Sequence, residues 1–143
     1  MKSLANRIVL FLVTLVAVPF FTGCGRDVTP MKGKIVFRDT QAAATELAGY
    51  TVSFQSVTDD TMGTATIDSD GTFVVSTYGD LDGLKIGMHR ITLNPPIDNA
   101  NGEMLEENPV YDVKYNSFRY TDLEVQVTAE MEEVVLQIDR AKE

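Results

Sequence analysis

Thr64-Ala65-Thr66-Ile67-Asp68-Ser69-Asp70-Gly71-Thr72-Phe73-Val74-Val75 holds two alternating segments on either side of a turn. Ala65 and Ile67 fall on one side of an extended chain, and Thr64, Thr66 and Asp68 fall on the other. Asp and Gly accept the backbone geometry of a reversal, so Asp68-Ser69-Asp70-Gly71 is a turn. Phe73 and Val75 then resume the inward face. Residues 62–78 are therefore expected to form a β-hairpin.

The same period of two runs outward in both directions. Upstream, Gly33, Ile35 and Phe37 oppose Lys32, Lys34 and Arg38, while Tyr50, Val52 and Phe54 oppose Thr51, Ser53 and Gln55. Downstream, His89, Ile91 and Leu93 oppose Arg90 and Thr92, and Pro95-Pro96 stops the run because proline cannot donate to a ladder. Leu123, Val125 and Val127 alternate with Glu124, Gln126 and Thr128; Val134, Leu136 and Ile138 close the series. The Ala-rich stretch 41–48 is a helical turn or a loop, and residues 95–109 are a long loop or hold a short hairpin at Asn101-Gly102. Seven short strands joined by Gly, Asp, Asn and Pro turns predict an all-β fold, a seven-stranded antiparallel β-sandwich of Ig-like type.

The first residues follow a different logic. Lys2 and Arg7 precede an apolar-leaning run from Ile8 to Phe21, the layout of a secretory leader and too short for a confident membrane span. Cys24, the one cysteine of the 143 residues, stands directly after Phe21-Thr22-Gly23. Small residues before a cleavage point fit a peptidase groove. This arrangement resembles the bacterial lipobox, with Phe21 where Leu is usual. The resemblance implies cleavage before Cys24, a thioether-linked diacylglycerol on its sulfur, and an acyl group on the new amine. Each buried methylene contributes about 0.8 kcal/mol, so two or three chains hold stably where one does not. The expected division is a leader over 1–23, the lipidated cysteine and a tether over 24–30, the sandwich over 31–139 and a tail over 140–143. Gly25 rather than Asp after the cysteine implies the outer membrane in a cell with two membranes.

Charge limits the partners. The chain carries 12 Lys+Arg against 21 Asp+Glu; loss of the leader removes Lys2 and Arg7, leaving 10 against 21, a net of −11. Such a surface repels phosphate backbones, so nucleic acid is not an expected partner. The membrane, through the lipid, is the expected contact, with an envelope protein or a carbohydrate as further partner.

The opening segments also resemble a domain family. Gly33-Lys34-Ile35-Val36-Phe37 and Tyr50-Thr51-Val52-Ser53-Phe54 are similar to the first strands of carboxypeptidase regulatory-like, transthyretin-like (prealbumin-like) domains. Ile67-Asp68-Ser69-Asp70-Gly71-Thr72-Phe73 resembles their Asp/Gly turn. Gly87-Met88-His89-Arg90-Ile91-Thr92-Leu93 resembles a later strand, with His89 where an aromatic is usual. Val113-Lys114-Tyr115 before the Leu123 strand resembles a segment of small bacterial lipoproteins that carry this domain. The resemblance implies a transthyretin-like sandwich and a non-catalytic module.

Chemistry-bearing sets are sparse. His89 is the one histidine, sharing a face with Ile91 and Leu93, and reads as a core-edge residue. Asp68 and Asp70 match the first ligand positions of a calcium loop, but Phe73 and Gly79 stand where Gly and Glu are required. A looser cation site would need Asp59 and Asp60 beside them. No resident cofactor is expected beyond the lipid on Cys24. Tyr111, Tyr115, Phe118 and Tyr120 are the densest aromatic group and the candidate binding surface, with core packing as their alternative role. The expected function is a membrane-tethered binding or structural module without catalysis. An accessory subunit of an envelope transport or secretion complex is the second reading. An enzyme using Asp80 and Asp82 as an acid pair is the third.

Overall fold

A computed structural model describes residues 27–97 and 110–142. Cys24, the leader and the Asn101-Gly102 region lie outside the described residues.

Nine strands are present among the described residues: β1 (Val28–Thr29), β2 (Lys32–Phe37), β3 (Thr51–Ser56), β4 (Met62–Thr66), β5 (Thr72–Val74), β6 (Leu84–Lys85), β7 (Gly87–Asn94), β8 (Glu124–Val127) and β9 (Glu133–Ile138). Seven of them fall on the seven alternating segments; β1 and β6, two residues each, are additions that pair with one another. The strands form a three-stranded sheet in the order β5-β2-β9 and a four-stranded sheet in the order β4-β3-β7-β8. The protein is thus all-β, with only short 3-10 turns at Thr45–Leu47 and Val113–Asn116 among the described residues.

The two sheets bury their apolar faces against each other. Ile35, Phe37, Phe73, Leu136 and Ile138 come from one sheet, and Val52, Phe54, Ile91, Leu93 and Val127 from the other, all in one core. Phe73 of β5 and Phe54 of β3 meet across the layers with ring centroids 5.9 Å apart and planes at 47°. Gly33 makes room for that contact: a Cβ there would lie 2.4 Å from Phe73 Cζ. Each such aromatic, fully buried, stabilises the fold by about 1.5–3 kcal/mol.

Three expectations are corrected. The 62–78 segment is not a hairpin. Its turn exists, with Gly71 N–H donating to the Asp68 carbonyl, but β4 pairs with β3 while β5 pairs with β2. Gly71 offers its carbonyl to the Ile35 N–H, so the turn docks on β2 and acts as a corner between sheets. A single isolated bridge, Thr64 with Ser76, links the two arms. The sandwich is also not wholly antiparallel. β2 and β9 run parallel over all six residues, from Lys32 with Glu133 to Phe37 with Ile138. Parallel neighbours require a long crossover, and here nearly the whole domain supplies it. Finally, the domain reaches past both expected boundaries. Thr29 is buried and its hydroxyl donates toward the carbonyls of Ala129 and Met131. At the other terminus Arg140 bridges Tyr111, and Ala141 N–H donates to the Val110 carbonyl.

The strand directions give the body two ends. The near end gathers residues 27–31, the turn 57–61, the loop 75–86 and the turn 128–132. The far end gathers residues 38–50, 67–71, 110–123 and 139–142. At the near end β1 lies against the loop that precedes β6. Gly83, with φ +102, sits so close that a Cβ would lie 1.9 Å from the Thr29 carbonyl oxygen. Gly83→Ala is expected to destabilise the domain by about 3 kcal/mol, through both the positive φ and the overlap. Gly79→Ala, whose Cβ would meet nothing nearer than Asp82 at 3.9 Å, is expected to stay within about 0.5 kcal/mol. Urea denaturation of the two variants checks this.

Candidate functional site

The acidic turns are occupied with their own backbones. Asp82 Oδ1 accepts the Thr77 N–H at 2.7 Å, and its Oδ2 accepts those of Tyr78 and Gly79 at 3.0 and 2.9 Å. A carboxylate so saturated is a loop clamp, and it is not placed to form an acid pair with exposed Asp80. Asp70 Oδ1 accepts the N–H and hydroxyl of Thr72, at 3.0 and 2.6 Å, which holds its carboxyl below the usual carboxylate range. Asp59 pairs with Lys85 and also accepts the Thr61 N–H; the Lys85 ammonium is the main cause of its depressed pKa. Asp59 and Asp60 precede β4 whereas Asp68 and Asp70 follow it. A five-residue strand separates the pairs by roughly 17 Å, so the looser cation site does not assemble. Among the described residues no group of three His, Cys, Asp or Glu is placed to hold a metal ion.

The aromatic group at the far end divides into core and surface. Tyr111 and Tyr115 are fully buried, Phe118 is half-buried, and Tyr120 is 66% exposed. The first two are therefore not binding surface. Tyr111 shares its one hydroxyl proton between the Leu93 carbonyl at 3.1 Å and Asn116 Oδ1 at 2.7 Å, with its ring edge-on to Tyr50. Tyr115 OH donates to Asp139 Oδ2 at 2.9 Å and accepts the Asp139 N–H at 3.1 Å. Lys114 Nζ joins the same carboxylate at 2.9 Å and Asp122 at 2.8 Å, and lies 4.9 Å from the Tyr115 ring centre. The Lys114 ammonium holds Asp139 below the usual carboxylate range, while Asp122 and Asp139 push Lys114 up. Burial pushes the Tyr115 phenol up. This network pins the loop after residue 110 to the end of β9. Its sequence signal was the Lys114-Tyr115 pair; nothing local identifies Asp139 as the partner. Beside it, Asp112, Val113, Ala141 and Lys142 line a recess of about 320 Å³.

His89 faces the core on β7, level with Ser56 of β3 and Val125 of β8. It is fully buried, Nε2 lies 2.7 Å from the Lys85 carbonyl oxygen, and Nδ1 has no partner among the described residues. The carbonyl can only accept, so Nε2 carries the proton and Nδ1 is a bare acceptor in the interior. Burial lowers the imidazole pKa, against smaller opposing effects of the Lys85 carbonyl and the Asp59 charge.

Two shallow clefts share Val74 and Leu81 as a wall. One, about 480 Å³, runs along Thr51, Thr64, Thr66, Asp68 and Ser76. The other, about 410 Å³, is bounded by Pro30, Met31, Lys32 and Glu132. Leu81 is 65% exposed and holds φ +54, a left-handed conformation that leucine seldom takes. Lys32 and Lys34 lie exposed on the outer face of β2, and Arg38, just past its end, turns to Asp139 at 3.5 Å.

Comparison of the chain with protein-family models, with curated proteins and with solved structures finds no match. The functional reading stands on the residues alone.

Tyr115→Phe removes one hydroxyl that serves Asp139 twice, and is expected to cost about 1–2 kcal/mol of unfolding free energy in a denaturant titration. For His89 the unfolded imidazole, near its ordinary 6.5, takes up a proton before the folded one does. The stability due to neutral His89 is therefore full above about pH 6.5 and drains away as pH falls toward the depressed folded value. His89→Phe is expected to flatten the fall in unfolding free energy between about pH 7 and about pH 5. Its loss of the Lys85 contact adds only a pH-independent cost.

Proposed function

We propose that this chain is a lipid-anchored extracytoplasmic module that binds or scaffolds a partner and performs no catalysis. The observation that carries the reading is Thr22-Gly23-Cys24 at the end of a charged and then apolar leader. The described body supports it by starting at once: β1 begins at Val28, so the sandwich would be held directly on the membrane surface by its lipid. Cys24 contributes its sulfur to the thioether and its freed amine to the acyl group. The sandwich is proposed to be transthyretin-like. The strand orders β5-β2-β9 and β4-β3-β7-β8, with a parallel pair between the first and last long strands, support that assignment.

On this reading the near end faces the bilayer and the far end faces outward. The far end bears exposed Tyr120 and Val113, each 66% accessible, next to the Asp112–Lys142 recess. Arg119 lies over the Tyr120 ring, 5.6 Å from its centre. These groups are the proposed contact for an envelope protein or a carbohydrate.

Mass spectrometry of protein extracted from membranes tests the anchor. The expected mature chain begins at Cys24 and carries a diacylglycerol thioether. Cys24→Ser is expected to abolish both the lipid mass and the cleavage. A mature chain that starts elsewhere, or a free thiol at Cys24, would refute the reading.

A further inference from the structure

The near end is apolar where the chain leaves it. Leu81 is 65% exposed, Tyr78 50%, Val57 49%, Val74 44%, Met62 43% and Ile86 40%. All six lie on the near-end turns or on strand residues next to them. The loop that carries Leu81 and Tyr78 is pre-formed. Asp82 clamps three of its N–H groups, Leu81 N–H donates to Ser76 Oγ at 2.9 Å, and Thr77 Oγ1 donates to the Gly83 carbonyl at 2.7 Å. A loop ordered in advance loses little freedom on docking.

The length of chain outside the described body says what covers this end. From Asp27 back to Cys24 the backbone spans at most about 11 Å. A lipid on Cys24 therefore holds the Leu81 loop against a bilayer at an effective concentration of about millimolar or more, so weak contacts suffice. Charge selects the kind of bilayer. Asp27, Asp60, Asp80, Glu130, Glu132 and Glu133 are exposed at this end, with Lys32 opposing them and Lys85 already paired to Asp59. Such a rim is repelled by anionic headgroups.

We infer that the near end docks on the bilayer that holds its anchor, with Leu81 at the boundary of headgroups and acyl chains and zwitterionic lipid preferred over anionic. The inference rests on the reading of Cys24 as the lipid-bearing residue. It adds direct seating of the protein surface in the lipid: the sandwich is held upright by its own near end instead of swinging on its tether.

The chain contains no tryptophan, so Leu81→Trp and Tyr120→Trp each install a single indole reporter at similar exposure on opposite ends. The lipidated full chains are reconstituted into phosphatidylcholine vesicles containing brominated acyl chains. The near-end indole of Leu81→Trp is expected to be quenched at least about twofold more than the far-end indole of Tyr120→Trp, and to emit further to the blue. That difference is expected to shrink when part of the phosphatidylcholine is replaced by phosphatidylglycerol, and to return with added salt. Vesicle-bound protein with both indoles equally unquenched overturns the docking and leaves the anchor standing. A near-end indole shielded from aqueous iodide yet untouched by brominated lipid also overturns it, and assigns the face to a second copy of the chain. Protein without diacylglycerol mass that fails to join vesicles overturns the anchor and the docking together.

Discussion

The parallel pairing of β2 with β9 is the constraint on which the remaining structure depends. Lys32 to Phe37 and Glu133 to Ile138 lie about a hundred positions apart along the chain, yet pair over their full length. Until that ladder closes, the three-stranded sheet lacks its β9 edge, and the core shared by Ile35, Phe37, Leu136 and Ile138 is half open. A contact of such separation is slow to form, because loop closure is costly before the packing returns it. The same pairing separates the termini. The chain enters β2 at the near end and leaves β9 at the far end, so the two sides of the ladder continue from opposite ends of the body.

Much of the acidic charge is spent on geometry. Asp82 organises a loop, Asp70 fixes a corner, Asp59 ties the β3–β4 turn to β6, and Asp139 anchors the segment after residue 110. Side chains of this kind offer acceptors to N–H groups that sheets leave unpaired at their ends. A domain with one cysteine has no internal disulfide to do the same work. The His89 imidazole is the exception, buried with a bare Nδ1.

The alternation at Gly33–Phe37, Tyr50–Phe54, Ala65–Ile67 and His89–Leu93 made the strands and their inward residues readable in advance, because period two is a local property. Partner choice is not local. The turn at Asp68–Gly71 was legible, but whether Phe73 pairs beside Ala65 or crosses to Gly33 depends on the space that Gly33 leaves open. β1 and β6 are too short to show a period, so Thr29 looked like tether although it is buried. Tyr111 and Tyr115 lie in irregular chain with no periodic signal, and only their hydroxyl partners, Leu93 and Asp139, mark them as interior. Asp82 looked like half of an acid pair because spacing alone does not reveal that its oxygens are already taken.

The β2–β9 ladder also has a mechanical meaning. Tension applied between the chain before β2 and the chain after β9 pulls two parallel neighbours past each other along their common axis. All six register pairs then bear the load together and must fail together, whereas a hairpin pulled from its open end peels one pair at a time. The fold thus resists stretching between the two ends of the ladder far better than a hairpin of equal length would.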